Sequence, residues 1–293
     1  VGAVGLAGSD GLVLTGRLSP RTHPWLADHV ISGTVLFPGT GFVELAVQAG
    51  DQVGCAHLEE LTLHAPLALP TGQDTALQVV VGEADGGRRT VDFYSRPETA
   101  GDSETTDQTP WQRHASGTLT AAAAAAAPTA TGMEQWPPPG AERIAADTLY
   151  DDMADQGYGY GPAFRGLRAL WRRDGEVFAD VALDDDTVLD APGFGLHPAL
   201  LDAALQATDF AQSNPDGSLR LPFAWSGVTL YSTGAGAVRV RVRETGPDQV
   251  RLDLADGTQI RKGAGSALRA WLGLDGDDAA LTDRTDAVAS RGG

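Results

Sequence analysis

The stretch PALLDAALQATDFAQ, residues 198–212, decides the fold. Its apolar side chains fall on nearly every face of a predicted helix, and Pro198 suits the first helical turn. A helix without a polar face cannot lie on a surface, so the sequence predicts that other structure wraps around it. A second apolar helix is predicted from about residue 40 to residue 49, between Pro38 and Gly50. Each half of the chain therefore has one buried helix.

Most of the remaining sequence predicts β-strands. Val238, Val240 and Val242 alternate with arginines, which is the period of a strand with one solvated face. The dipeptide Asp174-Gly175 is a typical hairpin turn. Further strands are predicted at residues 76–81, 89–95, 112–120, 166–171 and 176–183. Strand-rich halves with one buried helix each predict an α+β fold of antiparallel sheets curled around central helices, and not a doubly wound βαβ sheet.

Two low-complexity stretches divide the chain. An alanine run at residues 121–127 is followed by the breakers Pro137-Pro138-Pro139-Gly140, which predicts a linker over residues 121–141. The last residues are rich in Asp, Ala, Ser and Gly and lack aromatic side chains, which is typical of disorder. The predicted organisation is an N-terminal half at residues 1–120, a C-terminal half at residues 142–274 and a disordered tail at residues 275–293.

Charge and composition exclude several classes of function. The 21 Lys and Arg residues face 39 Asp and Glu residues, which gives a net charge of −18. Such a surface repels phosphate backbones and anionic lipids, so no nucleic-acid or membrane partner is predicted. The single cysteine, Cys55, cannot form an intrachain disulfide and fits a reducing, cytoplasmic setting. The six histidines form no HExxH or other tight ligand pair, so no metal site is predicted.

Residues 29–38 follow an HxxxGxxxxP pattern that ends directly before the first apolar helix. A histidine at this place could point into a pocket, and Gly33 could bring its backbone N–H close to a ligand. A loop histidine can also simply cap local structure. Taken alone, His29 leaves both interpretations open.

Asp202 and Gln206 lie four residues apart and share one face of the second apolar helix. A carboxyl buried without a cation has a raised pKa, which is the profile of a general acid at neutral pH. The nearby helix N-terminus works against this because it favours the anion. The alternative is a carboxylate at a helix start that is exposed to water.

The segment GYGYGPAF, residues 157–164, places two tyrosines on the same side of an extended chain. The hydroxyl groups of Tyr158 and Tyr160 could line a polar spot in an apolar pocket. The alternative is aromatic core packing between glycine and proline turns.

Together, these motifs resemble those of the dehydratase domains of modular type I polyketide synthases. The patterns HxxxGxxxxP, GYxYGPxF and DxxxQ, and the segment LPFAW at residues 221–225, occur in the order of that family. The resemblance covers about residues 23–231 and implies a double hot dog, in which two antiparallel sheets each wrap a central helix. It also implies that the site lies between the two halves.

The resemblance implies a hydro-lyase that removes water from a 3-hydroxyacyl thioester during polyketide elongation. The substrate is carried on the phosphopantetheine arm of an acyl carrier protein, and the product is a 2-enoyl thioester, expected to be trans. His29 is then the base that removes the α-proton, and Asp202 is the acid that protonates the leaving hydroxyl. The Gly33 N–H is the candidate donor to the enolate oxygen. No bound metal or redox cofactor is expected, because elimination is redox-neutral.

The same resemblance implies supporting residues. Gln206 and one of the tyrosines, Tyr158 or Tyr160, are expected to orient Asp202 or the substrate hydroxyl. The predicted walls of the substrate pocket are Pro38, Pro162, Phe164, Leu221, Pro222 and Phe223.

Two alternatives stay open beside dehydration. One is a related hot dog reaction, cyclisation or double-bond isomerisation, and the other is a catalytically silent module that only binds carrier protein. The expected partners are an acyl carrier protein, neighbouring domains of a multidomain synthase and a second copy of the chain. Carrier proteins are generally acidic, so a chain at −18 needs a local basic patch for docking. The arginines Arg239, Arg241 and Arg243 are the predicted patch, although a solvent-facing strand alone would explain them.

Overall fold

The computed structural model describes residues 1–98, 109–121, 133, 135–211, 221–246 and 249–256, together with the backbone of residues 268–275. The α-helices within these residues are α1 (Gly39–Gln52), α2 (Leu149–Asp155) and α3 (Pro198–Leu205). None of these helices is long and apolar enough to cross a membrane. The strands of the first half are β1 (Gly2–Gly5), β2 (Leu12–Leu18), β3 (His29–Ile31), β4 (Thr34–Val35), β5 (His57–Leu63), β6 (Thr75–Val81), β7 (Arg88–Pro97) and β8 (Gln112–Thr120). Those of the second half are β9 (Glu142–Ile144), β10 (Tyr158–Tyr160), β11 (Leu167–Arg173), β12 (Glu176–Ala182), β13 (Leu221–Leu230), β14 (Ala237–Gly246), β15 (Gln249–Asp256) and β16 (Leu268–Asp275).

Thirteen of these strands form one antiparallel sheet in the order β1-β2-β6-β7-β8-β5-β13-β16-β15-β14-β12-β11-β9. Helix α1 packs on the first-half strands and α3 on the second-half strands β12 and β14. The two halves join where β5 pairs with β13, with Leu61 opposite Trp225. A smaller sheet has the order β10-β3-β4 and lies across the halves. Every strand predicted above is present; the five predicted with both ends differ by at most two residues, and the strand predicted from Val238–Val242 extends to Gly246.

Both predicted helices are buried, but each differs from its prediction in one respect. Helix α1 contains a buried carboxylate, Glu44, that the apolar pattern did not single out. All eight residues of α3 are buried, yet the helix ends at Leu205 and continues as a 3₁₀ helix, Gln206–Phe210. A short 3₁₀ helix is common at the end of an α-helix. Within this one, the Thr208 hydroxyl donates to the Leu205 carbonyl at 2.6 Å. Residue 212, the predicted helix end, lies outside the described residues.

The described part of the predicted linker packs on the second half. Met133 is buried against Ala255, and the Trp136 ring contacts the rings of Trp171 and Phe178 at 5.7 and 6.0 Å between centroids. Residues 122–132, residue 134 and the predicted tail beyond residue 275 are outside the described residues. The proposed division into two halves, linker and tail therefore stays a prediction.

Candidate active site

The histidine motif and the tyrosine motif meet in the small sheet. Strand β10 pairs antiparallel with β3 and places Tyr160 opposite His29. The Gly161 N–H donates to the Asp28 carbonyl at 2.8 Å, and the Ala163 N–H donates to the Asp28 carboxylate at 3.0 Å. A side chain at Gly161 would collide with that carboxylate, which explains the glycine. The second half therefore supplies the chain that covers the first-half histidine.

His29 is a neutral base in this structure. It is 5% exposed, and its Nδ1 lies 2.9 Å from the Leu36 carbonyl oxygen. A carbonyl can only accept, so Nδ1 carries the proton and Nε2 keeps its lone pair. Burial lowers the pKa of His29 to about 4, and the bond to Leu36 offsets only part of this effect. At neutral pH the imidazole is uncharged and can accept a proton at Nε2.

Asp202 faces that nitrogen, with its Oδ1 3.8 Å from the His29 Nε2. The carboxyl is 7% exposed, and burial raises its pKa to about 7, while the nearby Tyr160 hydroxyl lowers it to a smaller extent. Its Oδ2 is buried and has no hydrogen-bond partner among the described residues. At neutral pH a large fraction of Asp202 is protonated, so the carboxyl can donate a proton.

An aromatic wall encloses the pair. The His29 ring lies 4.9 Å from that of Phe164 and 5.7 Å from that of Tyr160, measured between centroids. Tyr160 stacks on Phe164 on one side and on Tyr158 on the other, at 6.1 and 5.7 Å. Burial raises the pKa of Tyr160 well above its usual value, so its hydroxyl stays protonated. These rings shield the His29 imidazole and the Asp202 carboxyl from water.

A cavity beside Asp202 receives several of the predicted residues. It is lined by Tyr158, Tyr160, Gln206, Leu221 and Pro222, together with Met153, Leu205, Thr208 and Asp209. The other predicted wall residues lie elsewhere: Phe164 packs on His29, Pro38 is buried at the start of α1, and Pro162 is exposed. Phe223 is 38% exposed and does not line this cavity; the register of β13 against β16 shifts between residues 222 and 224.

Gly33 lies at the tip of the turn between β3 and β4. Ser32 and Gly33 both have positive φ, 48° and 79°, which is the geometry of a two-residue type I′ hairpin turn. The turn itself explains why a glycine is favoured here. The role of its N–H as a donor to an enolate oxygen stays a prediction.

Gln206 bonds differently from the prediction. Its Nε2 donates to the Phe164 carbonyl at 2.8 Å, and its Oε1 accepts from the Tyr150 hydroxyl at 3.0 Å. These bonds hold the backbone of the aromatic wall, and the structure gives no bond from this amide to Asp202. Tyr150 belongs to no motif recognised in the sequence, because its partners are distant along the chain.

A buried carboxylate positions the start of α3. The N–H groups of Gly195 and Leu196 donate to the two oxygens of Glu44 at 2.8 and 3.0 Å. Beside them, the Thr40 hydroxyl donates to the Pro198 carbonyl at 3.0 Å. These three hydrogen bonds connect α1 of the first half to the chain that enters α3 of the second half. They fix α3, and with it the Asp202 carboxyl, relative to the other half.

Glu44→Ala is expected to lower the free energy of unfolding by about 2–4 kcal/mol, because it leaves the buried Leu196 N–H and the part-buried Gly195 N–H without their acceptor. Urea unfolding followed by tryptophan fluorescence measures the change. Glu83→Ala, which removes an exposed carboxylate, should change stability by less than about 0.5 kcal/mol. Equal stability of the Glu44 variant and the parent would show that this carboxylate does not hold the halves together.

The arginines of the predicted docking patch are paired with carboxylates. Arg241 makes a bidentate contact with Glu176 at 2.5 and 2.9 Å, and Arg243 donates to Asp253 at 2.7 Å. Arg239 lies over the Trp136 ring at 5.1 Å. Ion pairs within the fold thus neutralise part of the charge of Arg241 and Arg243. Carrier docking at this patch stays a prediction. Among the described residues, no group of three or more His, Cys, Asp or Glu side chains could hold a metal ion.

Known dehydratases match this chain along most of its length. One family model, the polyketide synthase dehydratase domain, matches residues 2–96, and another, the polyketide synthase dehydratase N-terminal domain, matches residues 128–268. A solved structure from work on dehydratase substrate selection for the borrelidin and fluvirucin polyketide synthases is 48% identical, with a TM-score of 0.84. That likeness covers 93% of this chain and 92% of the other. The chain belongs to the polyketide synthase dehydratase family.

Two further dehydratase structures are similar. The dehydratase domain from the terminal module of the rifamycin synthase is 43% identical, with a TM-score of 0.82 over 93% of this chain and 94% of the other. The bifunctional dehydratase–cyclase domain of ambruticin biosynthesis is also 43% identical, with a TM-score of 0.81 over 93% and 95%. The family, the double hot dog fold and the hydro-lyase class predicted from the sequence are confirmed.

The curated relatives of this dehydratase are far longer proteins. Polyketide synthase GfsA of Streptomyces halstedii is 56% identical over 261 residues, which are 87% of this chain and 3% of that protein. The pikromycin polyketide synthase component PikAII of Streptomyces venezuelae is 54% identical over 261 residues, 87% of this chain and 7% of that protein. The dehydratase thus spans only a small part of each relative.

Proposed function

We propose that His29 and Asp202 carry out the dehydration as base and acid on a 3-hydroxyacyl thioester. The main support is the buried pair itself. The His29 Nε2 and the Asp202 Oδ1 are 3.8 Å apart, and the His29 Nδ1 is hydrogen-bonded to the Leu36 carbonyl. Nε2 takes the α-proton, the Cα–H electron pair forms the double bond, and the Cβ–O bond breaks as Asp202 protonates the hydroxyl. Water and a 2-enoyl thioester leave, and the two side chains are left as imidazolium and carboxylate.

The opposite pKa shifts of the two groups support this assignment. Between about pH 4 and pH 7 both groups are uncharged, whereas an ordinary aspartic acid would be ionised over this range and an ordinary histidine would be protonated in its lower part. The reaction converts them into a cation and an anion that face each other in a dry site. Their attraction grows as charge develops, so the pair stabilises the transition state more than the ground state.

The remaining predicted roles are proposals that rest on position. The Tyr160 hydroxyl lies near Asp202 and would orient that carboxyl or the substrate hydroxyl, with Tyr158 stacked behind it. The Gly33 N–H stays the candidate donor to the enolate oxygen. The apolar residues Leu221 and Pro222 would contact the acyl chain. Elimination moves protons but no electrons to a second reagent, so we propose that no bound metal or redox cofactor takes part.

We propose that the substrate arrives on the phosphopantetheine of an acyl carrier protein, within a multidomain synthase like those of the relatives. A second copy of this domain is a further proposed partner. Strand β1 supports it, because it is exposed along its whole length at one edge of the large sheet, with Val4 58% exposed. The cytoplasmic setting stays a prediction from the single cysteine.

Mass spectrometry of a 3-hydroxyacyl carrier protein incubated with the domain tests the proposed function. Dehydration predicts the loss of the mass of one water from the acyl chain. A product of unchanged mass but altered retention time would indicate isomerisation. Because the similar ambruticin domain is a bifunctional dehydratase–cyclase, the enoyl thioester should also be assayed for cyclisation. An unchanged substrate would favour a module that only binds carrier protein.

A further inference from the structure

We propose that Tyr150 is a positioning residue for the elimination and that it acts through Gln206. The proposal rests on the proposed function of His29 and Asp202. Tyr150 lies on α2, touches neither of these residues through a hydrogen bond given by the structure, and belongs to none of the motifs above. Its hydroxyl nevertheless sits at the junction of three elements that surround the site.

The Tyr150 hydroxyl has a fixed direction. The Leu167 N–H donates to its oxygen at 2.9 Å, so this oxygen is the acceptor in that bond. The single hydroxyl proton is then left for the Gln206 Oε1, 3.0 Å away. One hydroxyl thereby joins α2, the first residue of β11 and the 3₁₀ helix that continues α3.

This direction decides how the Gln206 side chain is oriented. With Oε1 accepting from Tyr150, Nε2 must face the Phe164 carbonyl, to which it donates at 2.8 Å. A flipped amide would place its oxygen against that carbonyl and its NH₂ group against the hydroxyl. Gln206 is 4% exposed, so no water competes easily for these bonds. The Phe164 carbonyl, which can only accept, and the Tyr150 hydroxyl, which is left to donate, therefore hold the amide in the same orientation from its two ends.

The Phe164 carbonyl anchors the wall on which the reacting histidine rests. The Phe164 ring lies 4.9 Å from that of His29 and stacks on Tyr160 at 6.1 Å, with only 10° between their planes. Arg165 strengthens the same junction: its Nε donates to the Tyr160 carbonyl at 2.7 Å, and its guanidinium lies 5.6 Å from the centre of the Tyr150 ring. Loss of the Tyr150 hydroxyl would loosen the wall and admit water to the pair.

The hydroxyl keeps its proton over the whole working range of pH. Burial raises the pKa of Tyr150 to about 12. Any change in the pH profile on removal of this hydroxyl must therefore come from other groups.

Tyr150→Phe is expected to lower kcat for a 3-hydroxyacyl pantetheine thioester about ten-fold and to change KM less than about two-fold, since small misplacements of reacting groups cost rate. The kcat–pH profile should also narrow. Access of water moves the pKa of His29 upward from about 4 and the pKa of Asp202 downward from about 7. A purely structural hydroxyl would lower thermal stability without moving either limb.

Tyr94→Phe is the matched control, because the hydroxyl of the half-buried Tyr94 makes no hydrogen bond within the part of the chain that the structure describes. This variant should leave kcat and the pH profile unchanged.

A double-mutant cycle tests whether Tyr150 acts through Gln206. Gln206→Met and the double variant with Tyr150→Phe should have equal rates, because the hydroxyl acts only through the amide.

If the parent domain does not dehydrate its substrate, the proposed function is contradicted, and this inference falls with it. With an active parent, a Tyr150→Phe variant with parental kcat and pH limbs would overturn the positioning role. Additive losses in the double variant would overturn the route through Gln206. A Tyr150→Phe chain too unstable to assay would place the hydroxyl in the fold and would also contradict the proposal.

Discussion

His29→Ala lowers the rate of dehydration by about 10²–10⁴, because loss of a positioned general base has effects of that size. Within the described residues, His29 is the one side chain for which the structure gives an unprotonated nitrogen that faces Asp202. Single-turnover assays with a 3-hydroxyacyl pantetheine thioester measure the chemical step without carrier docking. The alanine variant should fold, since it loses one hydrogen bond, to the Leu36 carbonyl, and the ring contacts with Phe164 and Tyr160, but no backbone bond of β3.

His23→Ala is the control for this change, because His23 is exposed and lies just before β3. It should keep the parental rate. A His29→Ala variant that is folded by circular dichroism and retains a tenth or more of the parental rate would remove His29 from the role of base.

Asp202→Asn should block elimination to a similar degree and, in addition, stabilise the protein. An amide cannot give up a proton as a carboxylic acid does, so the leaving hydroxyl is no longer protonated. The effect on stability follows from the pKa, which folding raises from 3.8 to about 7. The unfolded chain loses this proton first, so stability falls as pH rises from about 4 to about 7 and stays low above that range.

Asparagine removes this cost. At pH 8 the variant is expected to be more stable than the parent by on the order of 3 kcal/mol, and at about pH 4 the two should be nearly equal. Urea unfolding at both pH values measures the difference. Asp51→Asn, at the exposed end of α1, should show no such pH-dependent gain. An Asp202→Asn variant that is no more stable than the parent at pH 8 would mean that this carboxyl is not kept neutral by burial.

The sequence predicted those parts of the fold and site that are encoded locally. The all-apolar helix at residues 198–212, the alternation at Val238–Val242 and the spacing of Asp202 and Gln206 each depend on residues close together in the chain. That the His29 motif and the tyrosine motif contribute to one site followed only from the family resemblance, because hydrophobic periodicity does not specify which strands meet. The pairing of β10 with β3 was not predicted.

What the sequence could not predict are the contacts made across the chain by single polar groups. Glu44 accepts hydrogen bonds from residues about 150 positions away. The hydroxyl of Tyr150 on α2 donates to Gln206, which lies in the 3₁₀ helix that continues α3. The shared helical face of Gln206 and Asp202 did not reveal that the Gln206 amide bonds to the Phe164 carbonyl and the Tyr150 hydroxyl. The ion pairs that Arg241 and Arg243 of β14 make with Glu176 on β12 and Asp253 on β15 are further contacts of this kind.

The pH dependence of kcat/KM for a pantetheine thioester tests the neutral base and neutral acid together. With chemistry made rate-limiting, as shown by an isotope effect from deuterium at the α-carbon, the profile should be bell-shaped. It should rise as His29 loses its proton near pH 4 and fall as Asp202 loses its proton near pH 7, with apparent values that belong to the coupled pair. A rate that stays flat from about pH 5 to about pH 9, or that keeps rising above about pH 8, would contradict catalysis by this pair.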